Sequence, residues 1–513
     1  MNSKTNTTGA TARSAAETVA ALCDDRELVV VSNRQPYSHT TEDGEIAVDR
    51  PAGGLTAALD PVMQSAAGTW VAWGDGDADR EVVGTEDTVA VPPEDPAYDL
   101  RRVWLTDEQV EGYYRGYSNQ VLWPLCHLDT SKMNPREEFW QAYRETNADF
   151  ADAVLDSTDS AGSDPVVWFQ DYHLALAPRE VRDSRPDAFL AQFWHIPWPA
   201  WESFEVCPQS HQLLEGLLAN DLLGFHVDRH CANFLECVDA WIDGATIDWD
   251  AGRVHHAGHE TAVASFPMGV DTDRIERLAG SEAADDFWTG FLESQDIAAD
   301  TTVAVGVDRL DYTKGIPERI RAVEHLLETR PEYRGEFVYV QKASESRSQI
   351  PAYQQLQREV DETVGRVNDR LGTDDWTPVV GITEMLPPKS LYGLYRYADL
   401  GLVSPVRDGM NLVAKEYVAA QVENDGALLL SKFAGAVEDL GGYAYTINPY
   451  ATEAFAETIH EAITESPTVR KRRMRQLRQL VAAYDLDAWM GDIFGTVGDL
   501  RGERETTASD DLA

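Results

Sequence analysis

Short apolar runs, each closed by turn residues, occur in two successive sets along this chain, and most of the stretches between them read as helices. Residues 27–32 (ELVVVS), 165–170 (PVVWFQ), 189–195 (FLAQFWH) and 222–227 (LLGFHV) make the first set. After FPMGVD at 266–271 the pattern restarts with 302–308 (TVAVGVD), 336–341 (EFVYVQ), 378–383 (PVVGIT) and 399–405 (DLGLVSP). Runs without polar alternation suit strands covered on both faces, as in parallel sheets flanked by helices. The fold class is therefore α/β, with two doubly wound, Rossmann-like domains and residues 268–300 carrying the connection. At 513 residues the chain is too long for one ordinary core and long enough for two. Ligands of open parallel sheets bind beyond the carboxyl ends of the strands, so two such sheets facing each other enclose one deep cleft.

The residues after each run are polar in a consistent way. Arg34 follows the first; Asp171 and His173 follow the second; His195 ends the third. Arg309, Asp311 and Lys314 follow 302–308, Arg347 follows 336–341, and Asp408 follows 399–405. Any one of these reads equally well as a cap or a surface pair. Six strand ends delivering charged or imidazole groups together point to a polar active site.

Two helix starts look able to meet an anion. In DRLDYTKGIPER (308–319), Pro317 belongs to the first turn of a helix running to about Thr329, with Arg309, Lys314 and Gly315 just before it. Cations and free N–H groups at a helix start suit a phosphate; the plainer reading is a helix capped by Asp311 or Thr313. AGGLTAAL (52–59) opens a helix with a glycine pair and is a weaker signal. Neither stretch is a dinucleotide fingerprint or a P-loop. YYRGYSNQVLWPLCH (113–127) is mostly core packing, although Tyr114 and Trp123 each carry a polar tip that suits a pocket wall.

Charge narrows the partners. Asp and Glu number 88 against 43 Lys and Arg, a net −45, which disfavours nucleic acid and fits a salt-rich, halophilic cytoplasm where screening limits self-repulsion. No lysine occurs between Lys132 and Lys314, so the lysines that remain invite attention. The five cysteines form no CxxC pair, and reduced, buried thiols in the cytoplasm are expected rather than disulfides or zinc. No apolar run approaches membrane-span length, and the polar N-terminus lacks a signal core.

Taken in order, VVVSNR, AGGL, YSNQVLWP, QDYHL, HIPWP, DLLGFH, DRLDYTKGIPER, SRSQIPAYQQLQREV, GRVN and RDGMNLVAKEYVAAQ resemble the trehalose-6-phosphate synthase family of retaining GT-B glucosyltransferases. The likeness covers about residues 27–495. It implies transfer of glucose from a nucleotide sugar, typically UDP-glucose, to glucose 6-phosphate, yielding trehalose 6-phosphate, the precursor of an osmoprotectant, and a nucleoside diphosphate. It implies no metal and no redox cofactor; homo-oligomers occur in the family. The expected domains are a disordered tail at 1–25, an acceptor domain at 26–267 and a nucleotide-sugar domain at 268–484. A helix at 485–500 crosses back to the first domain, and 501–513 form a loose tail.

The resemblance also implies roles. Arg309 and Lys314 would clamp the donor diphosphate, with the backbone of Gly54 beside them. Asp408 and the backbone of Gly409, Met410 and Asn411 would hold the donor glucose; Leu412 and Val413 would bring helix N-terminal amides to the diphosphate. Glu416 would accept from the ribose, and backbone near Leu386 would read the base. Arg34, Tyr114, Trp123 and Arg347 would bind glucose 6-phosphate, Asp171 its sugar hydroxyls, and His195 would lie beside the reacting carbon. The bare residues read as easily as a salt bridge for Asp171 and a satisfied core histidine for His195. Asp171 and Asp408 fall in different domains and neither has a nucleophile's setting, so same-face attack is expected rather than a glycosyl-enzyme. Two departures stand out. QDYH replaces the family's usual HDYH, expected to touch only a flank of Asp171, and HIPWPAWESF carries an extra tryptophan on the acceptor side. The competing readings are a sister enzyme with another phosphorylated acceptor, such as glycerol 3-phosphate, and a catalytically silent sugar-phosphate sensor.

Overall fold

Val29, Val30 and Val31 are β-branched and fully buried, and their strand, Leu28–Arg34, pairs in parallel with Thr69–Trp73 on one side and Val166–Gln170 on the other. The structure, a computed structural model, describes residues 18–19, 27–50, 54–158 and 164–510. From that central strand the first sheet runs outward through Phe189–Phe193, Leu222–Phe225 and His259–Ser265 in one direction. It runs through Tyr98–Val103 in the other, all in parallel. Antiparallel strands at Thr246–Asp248, Arg253–His256 and Thr88–Val91 complete its ten strands.

The second sheet has six strands, all parallel: Val379–Ile382, Phe337–Ser344, Thr302–Arg309, Leu400–Val403, Ala427–Ser431 and Tyr445–Ile447 in spatial order. Numbered along the chain, that order is the doubly wound one, reversing beside its first strand, and the parallel part of the first sheet reverses in the same way. All eight strands expected from the sequence are present. Tyr98–Val103 escapes a hydrophobicity reading because Arg101 and Arg102 interrupt it; Arg102 is buried and paired with Asp79 at 2.9 Å.

The passage between domains is shorter than the expected 268–300. Thr272–Ala279 and Glu282–Ser294 are helices whose Ile275, Ala279 and Phe291 enter the second domain's core, so the crossing is confined to the segment around Phe266–Asp271. The chain returns after the helix Pro467–Ala483. Leu486–Asp510 then lies on the first domain, with Trp489 and Phe494 against Trp168 at 6.0 and 5.1 Å between ring centroids. This helix extends well beyond residue 500. The loose tail expected over 501–513 is corrected as far as 510 by Arg501, buried and paired with Asp164, and by Arg504, which reaches Asp221 at 2.9 Å; 511–513 lie outside the described residues. The expected tail over 1–25 lies outside the described residues except for Thr18 and Val19, and Val19 is fully buried in the first domain's core. Among the described residues no helix is long and apolar enough to cross a membrane.

Candidate active site

Both sheets place their candidate residues at the crevice where strand order reverses. In the first, Arg34 ends Leu28–Arg34 and Asp171 follows the neighbouring Val166–Gln170; in the second, Arg309 ends Thr302–Arg309 and Asp408 lies beyond the neighbouring Leu400–Val403. This is where doubly wound sheets bind ligands, because two loops part there and leave helix N-termini accessible.

The turn after Thr302–Arg309 is built around Asp311. Its buried carboxylate accepts from the Thr313 N–H at 3.0 Å and the Thr313 hydroxyl at 2.8 Å. Gly315 follows with φ 64°, and a Cβ there would lie 2.1 Å from the Ser404 carbonyl oxygen, so only glycine fits. The helix Ile316–Thr329 then starts with Pro317 in its first turn. Beneath it Arg319 is fully buried, donating to Ser404 Oγ at 2.8 Å and Tyr339 Oη at 3.1 Å and pairing with Asp308 at 2.9 Å. A buried guanidinium so fully partnered fixes the floor of the turn.

Lys314 Nζ donates to Asp408 Oδ2 at 2.5 Å, and Asn411 Nδ2 donates to the same oxygen at 3.0 Å. Burial alone would raise the Asp408 pKa, but Lys314, His127 and Asn411 outweigh it and hold the carboxylate below its usual value. Asn411, at φ 82°, caps Leu412–Ala420 through its Oδ1, so the amides of Leu412 and Val413 open that helix. Gly409 lies against the first domain: a Cβ would meet the His195 carbonyl oxygen at 2.3 Å. Met410 is buried beneath the loop. Glu416 lies one turn into the helix with the Tyr395 hydroxyl at 3.4 Å, and burial pushes its pKa up to about 7. Leu386, in the loop after Val379–Ile382, packs on the same apolar cluster as Leu412 and Val413. Gly54 is the first residue of the helix Gly54–Ala66, and the residues before it, 51–53, lie outside the described ones.

Trp123 joins the two halves. The Arg347 guanidinium stacks 4.0 Å from its ring centroid and that of Arg309 lies 5.9 Å away. Arg347, itself at φ 51°, donates through Nη1 to Tyr353 Oη at 2.6 Å and Asp311 Oδ2 at 3.3 Å, and through Nη2 to Tyr172 Oη at 3.1 Å. Its buried Nε has no partner. Arg34 donates to Tyr114 Oη at 3.3 Å. Burial would raise the Tyr114 pKa, yet Arg347, Arg34 and Arg309 together bring it below a tyrosine's ordinary value. Such a concentration of cations around one hydroxyl is a site prepared for an anion.

Asp171 carries the strongest backbone signal. At φ 68° and ψ −179° it occupies a region open essentially to glycine alone. Its N–H donates to the Phe193 carbonyl at 2.7 Å, Gln192 Nε2 donates to its carbonyl at 3.0 Å, and its Oδ1 accepts from the His195 N–H at 3.2 Å. Burial raises its pKa to about 7, against the pull of the Tyr172 and His195 N–H groups and of Arg347 and Arg309. His173 stacks on Tyr114, with centroids 5.9 Å apart. Burial lowers His195 to about 3, so the ring is neutral, and its Nε2 lies 3.1 Å from Gln170 Oε1. This corrects the expectation for the QDYH departure: Gln170 reaches past the flank of Asp171 to the His195 ring.

The structure thus gathers Arg309, Lys314, Asp408, Gly409, Met410, Asn411, Leu412, Val413 and Glu416 on one wall, and Arg34, Tyr114, Trp123, Asp171 and His195 on the other. Arg347 bridges them. Sequence reasoning missed Asp311 as the anchor of Arg347, and missed Asn119, Tyr172, Arg319 and Gln170. Asp311 had a signal, a second acid inside a turn already holding two cations. The others are buried polar residues within otherwise apolar or mixed runs.

A model of glycosyltransferase family 20 matches residues 26–497. An α,α-trehalose-phosphate synthase (UDP-forming) of Schizosaccharomyces pombe is 34% identical over 494 residues, covering 94% of this chain and 93% of the relative. The E. coli trehalose-6-phosphate protein, solved bound to UDP-2-fluoro glucose, is 32% identical with a TM-score of 0.81, covering 92% of this chain and 98% of that one. A UDP-forming synthase from Burkholderia xenovorans, solved with glucose-6-phosphate, is 29% identical with a TM-score of 0.81, covering 92% and 100%.

Proposed function

The chain belongs to glycosyltransferase family 20, and we propose that its GT-B cleft moves glucose from UDP-glucose to glucose 6-phosphate with retention, giving trehalose 6-phosphate and UDP. The supporting observation is the shared indole of Trp123. It puts Arg309, from the wall of the donor diphosphate, and Arg347, from the acceptor phosphate, over one ring. Two anionic substrates brought that close need separate cationic anchors, and the cleft supplies Arg309 with Lys314 for one and Arg34 with Arg347 for the other.

In this reading Arg309 and Lys314 offset the charge that grows on the departing diphosphate, a task other enzymes give to a metal ion. Gly54 and the amides of Leu412 and Val413 add N–H groups. Asp408 and the backbone from Gly409 to Asn411 hold the donor glucose; Glu416 accepts from the ribose and the backbone near Leu386 meets the base. Tyr114 and Trp123 wall the acceptor and Asp171 accepts from its hydroxyls. His195, neutral, lies beside the reacting carbon. The acceptor hydroxyl attacks on the face the diphosphate leaves, and a diphosphate oxygen takes its proton. The protein acts by alignment and charge. Its buried, unpaired Cys126, Cys207 and Cys237 suit the cytoplasm.

The test is a search for a covalent intermediate with a slow donor such as UDP-2-fluoro glucose. Intact protein mass should stay unchanged during turnover. A glucosyl ester on Asp171 or Asp408 would replace same-face attack by double displacement.

A further inference from the structure

The two arginines of the acceptor wall come from different domains, and nothing in their own strands fixes one relative to the other. A buried chain of polar groups does. Asn119 is 2% exposed and lies in an unusually wide helix, Val110–Leu122, whose last turn closes with the Trp123 N–H on the Ser118 carbonyl, five residues back. Its Nδ2 donates to the Tyr114 carbonyl at 2.7 Å and its Oδ1 accepts from the Tyr172 hydroxyl at 3.0 Å. The Tyr172 oxygen in turn accepts from Arg347 Nη2 at 3.1 Å. Tyr114 is the partner of Arg34. One amide therefore connects Tyr114–Arg34, both from the first domain, to Arg347 from the second.

We propose that Asn119 and Tyr172 are positioning residues for the acceptor phosphate, holding Arg34 and Arg347 at the spacing of a single phosphate dianion across the domain interface. The proposal rests on the reading of those arginines as the glucose 6-phosphate anchors. Tyr172 supplies what the second domain cannot. Asp311 and Tyr353 occupy Nη1, Trp123 covers the guanidinium face, and the Tyr172 hydroxyl takes one Nη2 hydrogen. The other Nη2 hydrogen remains for a ligand, while Nε–H is buried without a partner. Removing the hydroxyl would orphan both an arginine N–H and Asn119 Oδ1 in a buried place. Tyr172 and Arg347 come from different domains, so the phosphate clamp is built from both.

Tyr172→Phe keeps the ring in its core and removes only the hydroxyl. With the full chain, KM for glucose 6-phosphate should rise about tenfold, the value of one hydrogen bond to a charged group, while kcat and the KM for UDP-glucose stay within about twofold. Combined with Arg347→Ala, the tyrosine change should add almost nothing, because its effect runs through Arg347. An equal rise in both KM values, or a full further loss in the Arg347→Ala background, would overturn the positioning role and leave Tyr172 as core packing. If Arg347→Ala alone left the glucose 6-phosphate KM unchanged, the acceptor-site reading itself would fall, and the inference with it.

Discussion

Glu416→Gln should make the protein more stable and the enzyme worse, and the balance should turn with pH. Burial pushes the Glu416 pKa from 4.5 up to about 7, with the Tyr395 hydrogen bond pulling weakly the other way. Below pH 4.5 the group is protonated whether the chain is folded or not, and the residue carries no penalty. Between 4.5 and 7 the folded chain keeps a proton that the unfolded chain has lost, so stability falls as pH rises. Above about 7 the folded carboxylate is charged and the full penalty is present. At about 1.4 kcal/mol per pH unit the interval amounts to about 3 kcal/mol, which water in the cleft trims to about 1–2 kcal/mol because part of the side chain reaches it. The amide has the same shape, retains an acceptor for Tyr395 and carries no charge. Thermal melts of both proteins at pH 5 and pH 8, at one ionic strength, should show the variant melting about 2–5 °C higher at pH 8 and nearly level at pH 5. Its KM for UDP-glucose should rise at pH 8, where Glu416 is a carboxylate, and far less at pH 5, where Glu416 itself is protonated. A variant no more stable at pH 8, or equally stabilised at both pH values, would refute the account of a carboxylate kept in a poor environment for the ribose.

Arg309→Ala and Lys314→Ala should each lower kcat by two orders of magnitude or more, read as UDP release at saturating substrates, since each removes charge from the leaving group. Unchanged turnover in both would remove the diphosphate clamp. Gly409→Ala should reduce kcat tenfold or more while the melting temperature hardly moves, because the new Cβ would press on the His195 carbonyl at 2.3 Å, between domains rather than inside one; a normal kcat would show that the contact is not needed for turnover. With a net charge of −45 the protein should melt at higher temperature as salt rises from 0.1 to 2 M, and a flat curve would contradict self-repulsion as a limit on its stability.

The strands that are apolar on both faces were legible because their runs are short, rich in β-branched residues and closed by turn residues, and the groups at their ends followed from chain order. What stayed hidden is polar and buried. Arg102 inside Tyr98–Val103 and Arg319 inside Ile316–Thr329 look like surface residues until Asp79 and Asp308 are found opposite them. The strain at Asp171 is a φ/ψ value, which an aspartate in a sequence does not announce. Gln170 was visible as a departure but not as the partner of His195, because Gln170 ends one strand, His195 follows the neighbouring one, and their meeting depends on register. The helix ending the chain was underestimated because its last turns are polar and held by ion pairs to Asp164 and Asp221 rather than by apolar contacts.

The most direct test of the central claim is to incubate the purified chain at high salt with UDP-glucose and glucose 6-phosphate, follow UDP release, and identify the sugar product. The account predicts UDP release that depends on glucose 6-phosphate, together with α,α-linked trehalose 6-phosphate. Release that instead requires glycerol 3-phosphate, or a folded protein that releases no UDP with glucose 6-phosphate, would contradict it.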